Sequence, residues 1–399
     1  MTATDLSMDV AAVTAPGGAR TVPSEGTDAG ARLLFVDHLR ASLTALVVIH
    51  HLTVAFAITI PGLWYYEDTT ADAAAHIVGL LVVLFDQAFF MGAFFLIAGH
   101  FTPSAYDRKG PGAFLRDRLV RLAIPLLAFD LVLGPLTEVP AVVRAHGELS
   151  LPAYLTHLDT PGPLWFVEVL LILACAYAAL RLLGGRAGTP SGWAPPEPPR
   201  ALAILLFTLA LAAVTFAFRL VVPIGHTLPI LQLPTPAYLP QYVCMFAVGV
   251  VAARRGWFRS IPDWMGWTGL AVSAVATVVL FLPALLTSGS SGSWLGGLRW
   301  QAAAYALWDS TLAVGMVLGL LVIFRRWANR AGVLWKELSR GAYGVYVLHA
   351  PLVVGLTLPL TLVPLPPLVK LLLAIAIALP LCFAVAGLVR RIPGVDRVL

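Results

Sequence analysis

The chain has 399 residues, of which 59% are hydrophobic and only 12% charged, and a formal net charge of +5. A composition this apolar excludes an ordinary soluble globular domain. The basic excess is small, so its distribution matters more than its size, and no nucleic-acid partner is expected. Cys175, Cys244 and Cys382 all fall in apolar segments. An odd number scattered in this way argues against a disulfide framework and offers no zinc spacing, so they read as packing residues and no metal is expected.

Residues 1–32 are rich in Ala, Gly, Thr and Asp, with no apolar run long enough for a signal peptide. They read as a disordered cytoplasmic tail. From Leu33 to Val389 apolar stretches of bilayer-spanning length recur, near 38–60, 77–101, 117–138, 163–183, 201–222, 236–254, 264–286, 302–324, 341–362 and 366–390. Each must be helical, because an unpaired backbone finds no water in lipid. The expected fold is all-α: a polytopic bundle of about ten transmembrane helices spanning 33–392, followed by a short tail, 393–399. With the N-terminus placed inside, 22 of the 26 Lys and Arg residues fall on the inner side. Only Arg144, Arg219, Arg299 and Lys370 fall outside, so both termini read as cytoplasmic.

The first span, LLFVDHLRASLTALVVIHHLTVAFAITI, carries Arg40 and His51. Eleven residues return a helix to nearly the same face three turns on, so the two groups share a face about 16 Å apart along the axis. Asp37, three residues before Arg40, can pair with it at the helix entrance. Ionisable groups inside a membrane helix are costly and mark functional sites. Histidine titrates in the range needed to take a proton from a hydroxyl attacking a thioester, and a nearby cation can bind phosphate or carboxylate. The competing reading has Arg40 snorkelling at the boundary and His51 bonding a carbonyl of another helix. His50 lies about 80° away on the wheel and reads as structural.

An acidic loop, YYEDTTADAAAH (65–76), follows, and the second span holds Asp86 and His100. The segment YDRKGPGAFLRDRLVRLAIP (106–125) reads as an inner loop and helix entrance in which Arg118 and Arg121 face one way with Arg116 adjacent. Arginine forks suit phosphate oxygens, so an anionic cofactor such as coenzyme A would be drawn here; the alternative is an ordinary positive-inside anchor. Asp130 lies in the third span, and 139–163 carries Arg144, His146, Glu148, His157 and Asp159. In PGPLWFVEVLL (161–171), Trp165 fits an aromatic belt, while Glu168 lies within the span and needs a partner. Residues 184–200 form a Pro/Gly hinge between a front block of four spans and a back block of six. Asp309 is a further isolated acid, and SGSSGSWLGG (288–297) is glycine-rich. In LSRGAYGVYVLHAPLVV (338–354), Tyr343, Tyr346 and His349 follow one another at intervals of three along one side of the ninth helix, before Pro351 breaks the ladder. Direct chemistry and helix–helix hydrogen bonding by buried tyrosines both fit that segment.

Taken together, these segments resemble the acyltransferase-3 family of integral-membrane acyltransferases, in the family's order from about Phe35 to Pro351. VDHLRASLTALVVIHH is similar to its first-helix motif of an arginine, ten residues and a histidine. FFMGAFFLIAGHF (89–101) resembles the end of its second helix, and RDRLVRLAIPLL (116–127) its arginine, two residues, arginine. GPLWFVEVLLIL and LSRGAYGVYVLHAP resemble its tryptophan–phenylalanine helix and late tyrosine–histidine motif. The resemblance implies transfer of an acyl group from cytoplasmic acyl-coenzyme A, acetyl- or succinyl-coenzyme A foremost. The implied acceptor is a hydroxyl of a glycan, glucan or glycosylated small molecule, at the plasma membrane. His51 becomes the catalytic histidine and Arg40 its motif partner. Arg116, Arg118 and Arg121 become candidates for the cofactor's phosphates, and Tyr343, Tyr346 and His349 shape or line the site. Where many relatives have Ser-Gly this chain reads Ile-Ala-Gly, so Ala98 inherits no hydroxyl role. A stand-alone membrane domain is expected, without an appended hydrolase-like domain. The alternative is a proton-coupled transporter or flippase using Asp86, Asp130, Glu168 and Asp309 as a relay, although no matched pair of broken helices is visible. Haem ligation by His51 and His349 is set aside, since buried histidines pair with much besides metal.

Overall fold

The computed structural model describes residues 33–58, 64–147, 151–152, 162–184, 196–226, 233–234 and 236–399. The tail 1–32, most of the hinge (185–195), and Glu148, His157 and Asp159 lie outside the described residues. Ten helices are long and apolar enough to cross a membrane: α1 Leu34–Ala57, α2 Ala73–Lys109, α3 Pro111–Arg144, α4 Gly162–Leu183, α5 Ala201–Arg219, α6 Pro236–Arg255, α7 Asp263–Ser288, α8 Trp300–Trp327, α9 Val333–Thr361 and α10 Pro367–Val389. The expected all-α membrane bundle is therefore present. α1, α2, α6, α8 and α9 are mostly buried and form its interior; the other five present most of their surface outward.

The structure differs from the expectation at the elbow between α2 and α3. No loop separates them: α2 runs on to Lys109, Gly110 turns the chain at φ 75°, and Pro111 opens α3. Glycine tolerates that positive φ, and proline at N1 sacrifices only a donor already orphaned there. α3 then carries two π turns, Leu119–Ala123 and Phe129–Leu133. Pro125 and Pro135, which follow them closely, supply no N–H to the α ladder, and the register slips accordingly. α9, by contrast, runs straight through Pro351 and Pro359; the lost rungs do not end it.

The tightest crossing is α2 on α6. A Cβ on Gly99 would fall 2.1 Å from the Phe246 carbonyl oxygen, and one on Gly249 would fall 2.1 Å from that of Leu96. Any side chain at either position would force the helices apart, which is the use membrane bundles make of small residues. The helix ends meet on one arginine-rich face. There Asp107 of α2 takes Arg181 of α4 at 3.1 Å and Arg254 of α6 at 2.7 Å, and Asp263 of α7 takes Arg325 of α8 at 2.8 Å. Two of the cations read as outer-side charges are buried in ion pairs: Arg219 pairs with Asp309 at 2.5 Å and Lys370 with Asp68 at 2.7 Å. Cys175 is exposed on the outside of α4 rather than packed; Cys382 is buried.

Candidate active site: a histidine pair beneath an aromatic loop

α1 and α9 run side by side in the same direction. Arg40 donates to the Ser339 carbonyl at 3.4 Å, and eleven residues on, His51 meets His349 across the same seam. The shared face read from sequence is thus the face that packs on α9. Arg40 also pairs with Asp37 at 3.4 Å, as its spacing suggested, and stays partly exposed at the arginine-rich end.

His349 is fully buried, with Nδ1 2.7 Å from the Tyr346 carbonyl and Nε2 3.0 Å from His51 Nδ1. A carbonyl only accepts, so His349 Nδ1 carries a proton. With both rings neutral, His349 Nε2 then accepts from His51 Nδ1, and the lone pair left over is His51 Nε2; the tautomers are assigned from this network. The seam therefore presents an oriented base: a carbonyl orders one imidazole, which orders the next.

The aromatic wall over this base was not read from the sequence. Trp64, in the stretch between α1 and α2, stacks on the His51 ring at 4.2 Å between centroids and 23° between planes. The residues just after it are pinned at several points. Asp68 donates its backbone N–H to the Ala55 carbonyl at 2.7 Å and takes Lys370 Nζ at 2.7 Å. Arg144 lies over the Tyr66 ring at 3.6 Å and donates to the Glu67 carbonyl, while a Glu67 carboxylate oxygen accepts from the Trp64 backbone N–H at 2.9 Å. No hydrophobic period marks a loop residue, so only the isolated tryptophan at the end of a span could have flagged it.

On the other side, His50 sits edge-on to His51 at 5.3 Å and 3.6 Å from Asp86. The histidine read as structural therefore pairs with one of the isolated acids. Tyr346 donates to the Pro163 carbonyl and Tyr343 to the Arg121 carbonyl. The tyrosines brace α9 against α4 and α3, while His349 alone of that trio enters the site. Trp165 is a correction: it is buried against Phe95 and Tyr242 and does not belong to an aromatic belt. Its neighbour Glu168 stays half-buried near Asp130 of α3. Tyr65, next to Trp64, has its hydroxyl pushed well above the usual phenol range by burial and by the charges of Glu138 and Asp130, so it keeps its proton.

The arginines of α3 have different partners. Arg118 lies over the Phe114 ring at 5.1 Å, Arg121 pairs with Asp117 at 3.4 Å, and Arg116 is exposed. The π turn from Leu119 interrupts the spacing between the first two. Asp117 also takes Lys109 at 2.9 Å, so this acid already offsets part of the patch. An apolar cleft of about 380 Å³ lies elsewhere, between α5, α6 and α8; Phe207, Met245, Val248 and Leu318 are among its lining, and it holds no acid or base. Among the described residues no cluster of three metal-ligating side chains occurs.

The acyltransferase-3 family model, described as an acyltransferase domain, matches residues 33–387. No curated protein and no solved structure matches the chain.

Proposed function

Because the chain belongs to the acyltransferase-3 family, and is accordingly a multi-pass membrane acyltransferase, we propose that it carries an acyl group from acyl-coenzyme A to a hydroxyl of a carbohydrate or glycosylated acceptor. The observation that carries this reading is the His349–His51 relay, which leaves an oriented lone pair within the bundle. His51 Nε2 takes the proton of the acceptor hydroxyl as the oxygen attacks the thioester. The burial around it keeps water from competing for the acyl group. Arg116, Arg118 and Arg121 supply positive charge at the arginine-rich face for the cofactor's phosphates. Arg40, at the same end of α1 and about 16 Å from His51, orients what enters between them. The arginine bias supports a reading in which that face and both termini lie in the cytoplasm of a plasma-membrane protein.

The transporter reading loses ground on one observation. Two of the acids it needs for a relay are separately paired, Asp86 with His50 and Asp309 with Arg219.

Purified protein in liposomes, given radiolabelled acyl-coenzyme A and a mixed glycan acceptor pool, is expected to place label on an acceptor. His51→Ala is expected to lose about 10³-fold or more of that transfer while remaining folded. Movement of intact substrate without transfer, or near-wild-type transfer by His51→Ala, would refute the proposal.

A further inference from the structure

Around the histidine pair, almost every polar hydrogen is spoken for. His349 Nδ1 donates to the Tyr346 carbonyl, His51 Nδ1 to His349, and the Tyr346 hydroxyl to the Pro163 carbonyl. The Trp64 indole is different. Its Nε1 is buried and has no hydrogen-bond partner among the described residues, although the ring stacks directly on His51. An indole nitrogen can only donate, and a buried donor left unpaired against the ring of the base calls for a reason. The stack puts the indole plane 23° from the imidazole plane at 4.2 Å, so an in-plane donor and an in-plane lone pair lie in adjacent layers. The loop that holds the ring is pinned by the buried Lys370–Asp68 pair and by Arg144, so the donor is positioned before any substrate arrives. Other buried polar atoms nearby have no hydrogen-bond partner among the described residues: His50 Nδ1, which faces Asp86 at 3.6 Å, and the Tyr65 hydroxyl, which lies against Gly162 of α4 rather than on the imidazole.

We propose that the Trp64 indole N–H is the oxyanion donor of this site. The inference rests on the acyl-transfer reading above. In the step concerned, the acceptor oxygen bonds to the thioester carbonyl carbon, its proton passes to His51 Nε2, and the carbonyl π pair moves onto oxygen. The N–H of Trp64 meets that developing negative charge in a dry site, where a fixed donor costs no reorganisation. Collapse re-forms the carbonyl, breaks the carbon–sulfur bond and expels coenzyme A thiolate, which takes the proton back from His51. Trp64 is then a catalytic residue in the strict sense, touching the reacting oxygen, and His51 and Trp64 divide the work between base and electrophile.

Trp64→Phe isolates the claim, because phenylalanine keeps an aromatic ring on the imidazole and removes the N–H. The expected result is a fall in kcat of about 10²-fold, with the Michaelis constants for both substrates little changed and the pH profile of transfer unshifted. Should that variant fail to fold, benzothienylalanine at position 64, which has the shape of tryptophan with sulfur in place of N–H, is expected to show the same loss. A wild-type kcat in either folded variant would overturn the proposal. So would a change confined to the acceptor's Michaelis constant, which would make the ring a stacking platform. His51→Ala is assayed alongside: full loss there with wild-type turnover at position 64 overturns this inference alone, whereas surviving transfer in His51→Ala overturns the reading beneath it.

Discussion

Arg219 and Asp309, on α5 and α8, meet at 2.5 Å with each side chain only 1% exposed, whereas His51 and His349, on α1 and α9, meet at 3.0 Å with His51 left partly open. The first cluster is closed upon itself. Arg219 also donates to the Ala237 carbonyl at 3.3 Å, and the rings of Tyr238 and Tyr305 lie against its guanidinium at 4.6 and 5.4 Å. Opposite charges cancel and aromatic faces replace water around the guanidinium, where Nη1 is the one nitrogen without a hydrogen-bond partner among the described residues. The histidine seam has the opposite character. It carries no obligatory charge, its hydrogen bonds run in one direction, and they end in a lone pair on His51 and, beside it, an unspent donor on Trp64. Inside a membrane bundle, an ionisable group is therefore better judged by what its partners leave over than by its burial.

The largest effect that would test this contrast is on stability. Removing one member of the closed pair, as in Asp309→Leu or Arg219→Met, leaves its partner stranded, and the expected cost is about 3–5 kcal/mol. Unfolding in detergent followed by tryptophan fluorescence or by thermal shift would read it. The double variant Arg219→Met/Asp309→Leu is expected to recover most of the loss, and the turnover of the protein that remains folded is expected to be unchanged in all three. A folded Asp309→Leu with abolished turnover would break the contrast and move the chemistry toward α8. The next effect is on rate. His349→Ala removes the acceptor that orders the His51 proton, and kcat is expected to fall about 10²-fold with stability nearly intact. His349→Gln offers an amide oxygen to His51 Nδ1 and is expected to restore part of the rate, a rescue that a purely packing role for His349 would not produce.

The parts of this arrangement legible in the sequence are those carried by periodicity. Ten apolar runs announce ten helices, because lipid permits no other backbone solution, and an eleven-residue step places Arg40 and His51 on one seam whatever that seam packs against. The His349 side of the seam was legible only as one of three residues spaced by three, and the spacing could not say that two of them brace neighbouring helices while one turns inward. Helix ends were misread where charge stands in for apolarity: Asp107 and Lys109 look like a loop until ion pairs with α4, α6 and α3 keep them helical. Arg219 and Lys370 show a related limit. A charge tally assigns each cation to a side, and only the fold reveals that an acid far away in sequence makes its burial tolerable. Trp64 lies outside any period, and its stack on His51 depends on a loop anchored more than 300 residues away by Lys370.

That anchor stands between the two kinds of cluster and gives the smallest expected effect. Lys370 and Asp68 are as sealed as Arg219 and Asp309, each 2% exposed, yet their loop carries the wall of the open site. Burial by itself would raise the Asp68 carboxyl, but the hydrogen bonds from Lys370 and Thr70 and the Lys370 charge hold it below the ordinary carboxylate value. A group whose folded value is depressed stabilises the protein fully above its unfolded value, near pH 4, and loses that contribution as pH falls further. Asp68→Asn keeps the volume and an acceptor for Lys370, so at pH 7 it is expected to cost only about 1–2 kcal/mol. The gap in unfolding temperature between wild type and variant is then expected to close as pH is lowered through the acidic range below 4. A gap that persists unchanged at pH 3 would show that Asp68 acts there by packing and not by charge. If the pair serves the site as well as the fold, the same variant also lowers transfer at pH 7 by a few-fold and loosens the Trp64–His51 stack, visible as increased quenching of Trp64 by a water-soluble quencher in a background with the exposed tryptophans replaced. Unaltered transfer and quenching would class Lys370–Asp68 with the closed pair and leave the aromatic wall to be held by Arg144 and Glu67 alone.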